Sequence, residues 1–155
     1  MFKKLLNKKL LKNQKGLTLI ELLAVIVILA IIAAIAVPAI GNIIENSRYN
    51  AVKADAINVL NAANIYYTDN PETADGLTVE TLKNDGYLDT AGAITDDATI
   101  SKAVPRGLSD TVSYTDSKDV TFDGATIESI NADSNKGSGA GGYTIGSEPA
   151  TSSTP

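Results

Sequence analysis

An uninterrupted apolar run limits what this chain can fold into. Leu22–Val37 is sixteen apolar residues without a break, and counting from Leu17 gives twenty-one. As a helix, the longer segment spans about 31 Å, enough to cross the hydrocarbon core of a bilayer, which is roughly 30 Å thick. The run is apolar on every face, so it cannot be an amphipathic helix on the surface of a soluble domain. We therefore predict a membrane-spanning segment over residues 17–40.

Charge is divided sharply at the start of that run. Residues 1–16 hold six lysines and no acid, whereas seven Lys or Arg and eighteen Asp or Glu follow, a formal charge of −11 (7 minus 18). By the positive-inside rule, the basic leader stays in the cytoplasm and the acidic body crosses the membrane. The acidic body also argues against nucleic-acid binding, which needs a basic surface. The leader differs from a secretory signal, because its small residue, Gly16, precedes the apolar run.

The chain contains no His and no Cys. Zinc sites of the usual kind, thiol nucleophiles and His-based triads are therefore excluded. Disulfides are excluded too, so an exported part must fold by packing alone. We expect no enzyme activity, no catalytic residues, no bound metal and no cofactor.

The acidic residues offer only weak candidates for chemistry. Asp133–Gly137 has the spacing of the start of a calcium loop, but the twelfth position is Thr144 instead of a bidentate Glu. We interpret this segment as a solvated turn. The pairs Asp96–Asp97 and Asp116/Asp119 are likewise interpreted as solvated loop edges, with no substrate cleft around them.

Glu21 is an ionisable residue inside the apolar stretch. A charge in a membrane segment costs several kcal/mol and indicates a function by default, so this carboxylate needs a cation. If the chain were cut after Gly16, the new α-amine of Leu17 on a neighbouring copy would supply one. The alternative is a carboxylate near the end of the span that reaches the membrane interface and has no function.

These residues together resemble the class III leader of type IV pilins and pseudopilins. The resemblance rests on Lys15-Gly16-Leu17-Thr18-Leu19-Ile20-Glu21, the apolar run and Pro38. It implies that a membrane peptidase cuts after Gly16 and methylates the amine of Leu17, and that Glu21, the fifth mature residue, forms the assembly salt bridge with that amine. Leu17 departs from the Phe most common at the first mature position.

Pro38 and Gly41 weaken the helix where the apolar run ends. Pro38 removes a backbone donor, and glycine destabilises a helical turn by about 1 kcal/mol relative to alanine. The resemblance implies that Ile35–Gly41 is locally unwound in a filament. A simple kink at the membrane boundary is the alternative.

The sequence predicts an α+β fold, with a long N-terminal helix packed on a small antiparallel sheet. One helix is expected from Leu17 to about Thr68, since apolar or small residues recur every three or four positions in its second half. The predicted stripe is Ile40, Ile43, Ile44, Ser47, Ala51, Ala54, Ile57, Leu60, Ala62, Ala63 and Tyr67. The resulting divisions are a cleaved leader (1–16), a stem (17–40), an amphipathic half-helix (41–68), a head (69–146) and a flexible tail (147–155).

The head is expected to contain a short helix and several strands. The helix is predicted at Val79–Asn84, with Thr78 as N-cap and Gly86 as its stop. Residues 89–110 are predicted to be irregular, anchored at Ala93–Ile94 and Ile100. Alternating residues predict strands at Thr111–Thr115, Val120–Asp123, Ala125–Ile130 and Tyr143–Ile145, with a turn at Asp123-Gly124 between the second and third. The predicted inward-facing residues are Val112, Tyr114, Val120, Phe122, Ile127 and Ile130.

The resemblance implies a structural subunit of a type IV pilus that forms a helical homo-oligomer for adhesion or twitching motility. Its implied partners are the membrane, a prepilin peptidase/methyltransferase, an inner-membrane assembly platform and a separate extrusion ATPase. The precursor would be a single-pass protein of the cytoplasmic membrane, and the product a cell-surface filament. The alternatives are a pseudopilin of a type II secretion or competence DNA-uptake system, and a plain signal-anchored membrane protein. The lack of cysteine favours a Gram-positive source.

Overall fold

The computed structural model describes the backbone of residues 2–146 and the side chains of residues 18–146. The predicted tail, residues 147–155, lies outside the described residues. The chain divides into two compact units, Met1–Gly41 and Asn42–Pro155. The first helix, α1 (Phe2–Asp69), contributes residues to both.

The part of α1 from Thr18 to Gly41 is apolar and has no buried residue. An 18-residue window in it has a mean hydropathy of 3.1 with none of its residues buried, so by length and composition it is able to cross a membrane. The predicted start of the helix, Leu17, is wrong, because α1 already begins at Phe2. The leader consists mainly of Lys and Leu, which are strong helix formers, so the uncut chain continues the helix towards its N-terminus.

The second half of α1 is buried against the sheet and ends at Asp69, one residue beyond the prediction. The predicted stripe is partly wrong. Ala51 and Ala54 are exposed, as are the three isoleucines before them, Ile40, Ile43 and Ile44. Those isoleucines belong to the stem, which is apolar on every face. A helical pattern counted from them therefore marks a face that is rotated away from the one that packs on the core. The residues that α1 buries are Tyr49, Val52, Ala56, Val59, Leu60, Ala62, Ala63, Tyr66 and Tyr67.

Helix α2 spans Val79–Asn84, as predicted. The side chain of Thr78 accepts a hydrogen bond from the backbone of Thr81 and caps the N-terminus. Gly86 follows with φ of +79°, in the left-handed region that glycine adopts at helix ends. Val79 and Leu82 are buried, which anchors the helix on the core.

Five strands form one sheet in chain order. They are β1 (Leu77–Thr78), β2 (Thr99–Ile100), β3 (Leu108–Thr115), β4 (Lys118–Ala125) and β5 (Tyr143–Gly146). Neighbours are antiparallel from β1 to β4, whereas β5 pairs in parallel with β4. The sheet is therefore mostly antiparallel, and the fold is the predicted α+β arrangement.

The predicted strand Ala125–Ile130 is wrong. Residues Ile127–Ala132 form a helix, α3, because Thr126 and Ser129 cap it reciprocally through side-chain and backbone hydrogen bonds. This helix lies in the crossover connection that a parallel pair such as β4 and β5 requires.

The predicted turn at Asp123-Gly124 is also wrong, since both residues lie within β4. The β3–β4 hairpin turns at Asp116-Ser117, ahead of Lys118. The segment expected to be irregular contains β2 and the start of β3, although two of its expected anchors, Ile94 and Ile100, are buried as predicted.

The core lies between the sheet and α1. Of the predicted inward residues, five are buried: Val112, Tyr114, Val120, Phe122 and Ile130. Ile127 is partly buried and packs against them.

Candidate functional site

The predicted processing and assembly residues lie along the first unit of α1. Gly16 and Leu17 have helical backbones, and their side chains lie outside the described set. Glu21 is on an exposed position of the helix, between large apolar neighbours. Among residues 18–146 there are three ion pairs, and none of them includes Glu21.

The stem around Glu21 presents apolar side chains in every direction. Each large apolar residue from Leu19 to Val37 is at least half exposed within the single chain. Such a surface is unstable in water, because burying apolar area is worth about 25 cal/mol per Å². Lipid or other protein must therefore cover it.

Pro38 and Gly41 are both within α1, whose helical assignment continues through them. A Cβ atom at Gly41 would meet nothing within 4 Å, so packing in the single chain does not demand a glycine there. The expected unwinding of Ile35–Gly41 concerns a filament and stays a prediction.

A second cluster joins α1 to the segment after α3. The Asp133 carboxylate accepts hydrogen bonds from the Tyr49 hydroxyl at 2.8 Å and from Lys53 Nζ at 3.0 Å. Lys53 Nζ also donates to the backbone carbonyl of Asp133 at 2.8 Å. The side chains of Lys53 and Asp133 are only 14% and 7% exposed, so this ion pair is shielded from solvent.

The protonation states of Tyr49 and Asp133 follow from these contacts. Burial raises the pKa of the Tyr49 hydroxyl, and the hydrogen bond to Asp133 raises it further. Burial also raises the pKa of Asp133, but hydrogen bonds from Lys53 and Tyr49 outweigh it and hold that pKa below its ordinary value. The carboxylate is therefore ionised at neutral pH, and the tyrosine is neutral.

A neighbouring ion pair, between Lys118 and Glu45, also holds the segment after α3 near α1. Lys118 Nζ donates to Glu45 Oε2 at 2.7 Å and to the Gly137 carbonyl at 3.3 Å. The hydrogen bond to Glu45 raises the pKa of Lys118. Gly137 lies so close to α1 that an added Cβ would be 2.5 Å from the Glu45 carbonyl oxygen and 2.6 Å from Tyr49 Cβ. We call the set formed by Glu45, Tyr49, Lys53, Asp133 and Gly137 the C-terminal clamp.

Sequence reasoning missed the C-terminal clamp, although a signal was present. Glu45, Tyr49 and Lys53 are spaced by four residues and so lie on one face of a helix. The predicted stripe of apolar or small residues left out Glu45 and Lys53 because they are charged.

The weak calcium candidate at Asp133 is explained by the same contacts. The ammonium group of Lys53 occupies the position beside the carboxylate and carbonyl that a cation would take. Within the described part of the chain, no group of three or more His, Cys, Asp or Glu could hold a metal ion. Of the other acidic candidates, Asp96 pairs with Lys83, and Asp119 accepts a hydrogen bond from Ser113.

Comparison with known families places a motif on the stem. The prokaryotic N-terminal methylation motif matches residues 11–37, which include Gly16, Leu17 and Glu21. No curated protein and no solved structure is significantly similar to the chain.

The motif points to a structural protein, and it implies processing by a peptidase and the use of pilus-assembly machinery. With the long apolar helix over which it extends, the motif supports anchoring of the precursor in a membrane. The motif and the long helix packed on a mostly antiparallel sheet together support a type IV pilin-like or pseudopilin-like protein.

Proposed function

We propose that the protein is the structural subunit of a type IV pilus. Residues 1–16 are the leader, which a prepilin peptidase removes between Gly16 and Leu17 before the amine of Leu17 is methylated. Residues 17–40 then form the assembly stem, residues 41–68 the amphipathic half of the helix, and residues 69–146 the head. The product is an extracellular filament that serves adhesion or motility.

One observation carries this proposal: the methylation motif extends over an apolar helix of which no residue is buried within the single chain. In the membrane, lipid covers this surface. In a filament, the stems of neighbouring copies cover it, and burial at about 25 cal/mol per Å² drives association. Transfer from lipid to filament therefore exchanges one apolar environment for another.

Glu21 makes the packing of neighbouring stems specific. A carboxylate among apolar stems is costly unless a cation meets it. In our proposal the methylated amine of Leu17, on an adjoining copy, is that cation. The pair sets the register of one stem against the next, because a slipped register leaves both charges without a partner.

The partners follow from this sequence of events. A peptidase/methyltransferase acts on the precursor, and an assembly platform in the inner membrane receives the mature subunit. A separate cytoplasmic ATPase powers extrusion. The membrane precursor and the cell-surface filament are two states of one chain.

The intact mass of the protein from its native cells tests processing. We expect the mass of residues 17–155 plus one methyl group. A full-length mass would contradict processing and would indicate a plain membrane anchor. Electron microscopy of material sheared from the cells then tests assembly: long filaments containing this chain are expected. Processed protein without such filaments would indicate a pseudopilin of a secretion or DNA-uptake system.

A further inference from the structure

The leader concentrates the positive charge of the chain. Six of the thirteen Lys and Arg residues, and no acid, fall within residues 1–16. The backbone of α1 is helical from Phe2 onward and continues into the apolar stem without a break. A basic helix joined in this way to a membrane-crossing helix is held next to the bilayer whenever the stem is inserted.

The order of residues along the leader divides it into two faces. Two sets repeat every four positions: Phe2, Leu6 and Leu10, and, two positions later, Lys4, Lys8 and Lys12. Residues four apart share a helix face, and a shift of two positions is about 200° around the helix, so the two sets lie on opposite faces. Lys9 and Leu11 are the exceptions to this division. A helix with one apolar and one lysine-rich face is typical of a segment that lies on a membrane surface.

The stem determines which surface the leader meets. By the positive-inside rule the leader is on the cytoplasmic side, where the leaflet carries anionic lipids. Clusters of about four to eight basic residues directly cytoplasmic of a membrane-crossing helix bind anionic headgroups, and each basic residue strengthens the attachment roughly fivefold. Because the acidic body is expected to cross the membrane, it does not neutralise these lysines in the precursor.

A straight continuation of α1 would carry most of the lysines away from the lipid. Lys4 lies thirteen residues before Leu17, roughly 20 Å at the usual rise, whereas each headgroup layer is about 5–8 Å thick. Contact with the headgroups therefore requires a bend where the leader meets the stem. Gly16 is at that junction, and glycine is a weak point of a helix because it lacks a side chain and gains backbone freedom on unwinding.

We propose that the leader of the precursor lies along the cytoplasmic leaflet and binds anionic lipid headgroups. The face with Phe2, Leu6 and Leu10 rests on the boundary of the acyl chains. A helix at that depth has its axis among the headgroups, which brings its lysines to the level of the lipid phosphates.

Cleavage after Gly16 would remove this attachment. The chain loses six positive charges, and its formal charge changes from −5 (13 minus 18) to −11 (7 minus 18). The mature subunit is then held in the membrane by its stem alone and is released from the anionic lipids for assembly. This release rests on the proposed function, whereas the lipid contact of the precursor requires only an inserted stem.

The uncut full-length chain in lipid nanodiscs tests the contact, because both faces of a nanodisc bilayer are accessible. Cells without a prepilin peptidase supply the protein. The natural chain has no cysteine, so Leu6→Cys places a single environment-sensitive dye on the apolar face and Lys8→Cys places it on the opposite face. In nanodiscs that contain phosphatidylglycerol, we expect acrylamide to quench the dye at residue 6 at least roughly threefold less than the dye at residue 8.

The charge of the lipid and of the leader should both control this protection. It should be lost in nanodiscs of phosphatidylcholine alone, and in phosphatidylglycerol at about 1 M salt, where the Debye length falls to about 3 Å. Combining Lys4→Gln, Lys8→Gln and Lys12→Gln should also abolish it, since roughly fivefold per lysine multiplies to roughly a hundredfold weaker attachment. Arginine at the same three positions is the matched control, because it preserves charge and helix propensity, and it should retain the protection.

Each contrary outcome has a definite meaning. Equal quenching at residues 6 and 8 in phosphatidylglycerol would overturn the contact, and so would protection that persists in phosphatidylcholine alone. Loss of protection in the arginine variant as well as in the glutamine variant would overturn it too, since charge would then not be the cause.

These measurements involve neither cleavage nor filaments, so they fail independently of the proposed function. A full-length mass or an absence of filaments in the native cells would overturn the proposed function and the release on cleavage. The lipid contact of the uncut chain would stand in that case.

Discussion

At the scale of single residues, Gly137 shows how closely the end of the head approaches α1. Its Cα faces the Glu45 carbonyl and the Tyr49 side chain at distances that leave no room for a methyl group. Both neighbours belong to a helix and cannot move alone. A side chain at this position must push the segment after α3 away from α1.

We therefore expect Gly137→Ala to destabilise the head by about 1–3 kcal/mol, the usual cost of overpacking. The measurement is denaturant unfolding of residues 42–155, which contain every buried core residue among the described side chains. Gly146→Ala is the control, because its added Cβ would make only an ordinary contact, at 3.8 Å from the Asp123 carbonyl oxygen. Equal stability of the two variants would contradict the close approach.

Asp133 makes part of the head's stability depend on pH. Its pKa is held below the ordinary value in the folded state, so its contribution is complete above the unfolded pKa of about 4 and is lost as the pH falls through the folded pKa. Asp133→Asn should cost about 1–3 kcal/mol at pH 7, since Lys53 and Tyr49 lose an ionised acceptor.

The Asp133→Asn variant should also lose less of its stability than the wild type between about pH 5 and pH 2. Asp96→Asn is the matched control, because the pair of Asp96 with Lys83 is exposed and worth about 0–1 kcal/mol. Parallel pH profiles for the wild type and Asp133→Asn would argue against an ionised carboxylate in the C-terminal clamp.

At the scale of elements, α3 shows how local hydrogen bonds override an alternating pattern. Residues 125–130 alternate as a strand does, yet Thr126 and Ser129 satisfy each other's backbone donors and start a helix. We expect Thr126→Ala to destabilise the head by about 1 kcal/mol and Thr126→Ser to cost less, because serine keeps the capping hydroxyl. Thermal unfolding of residues 42–155 provides the comparison. If alanine and serine behaved alike, the cap would not contribute.

In the stem, substitution of Glu21 tests the proposed assembly salt bridge. Glu21→Ala should leave cleavage and methylation near normal but greatly reduce filaments, because the Leu17 amine loses its proposed partner. Glu21→Gln keeps the size and removes the charge, so we expect it to fail as alanine does. Intact mass reports processing, and microscopy of sheared material reports assembly. Abundant filaments from either variant would contradict the proposed pair.

The elements also show what the sequence could and could not predict. The stem, the end of α1 and the whole of α2 were predictable, because an unbroken apolar run, the Asn70-Pro71 pair directly after α1 and a Thr cap all act locally. The parallel pairing of β5 was not, since it depends on a crossover between distant residues. The C-terminal clamp was also hidden, because Lys53 and Asp133 are charged and read as solvent-facing until the fold brings them together.

At the scale of the whole molecule, every core residue among the described side chains, residues 18–146, lies in one of the two units. All of them follow Asn42, and residues 18–41 contribute none. Residues 42–155 expressed alone should therefore be soluble and monomeric in dilute solution, whereas residues 17–155 should require detergent. Sedimentation of both fragments is the measurement. Persistent aggregation of residues 42–155 under mild conditions would mean that the head needs the stem to fold.

The C-terminal clamp holds the segment after α3 to α1 by ion pairs and hydrogen bonds, in a chain that has no cysteine. Folding of the head thus requires neither an oxidant nor a thiol isomerase, and the same bonds can form in reducing or oxygen-free surroundings.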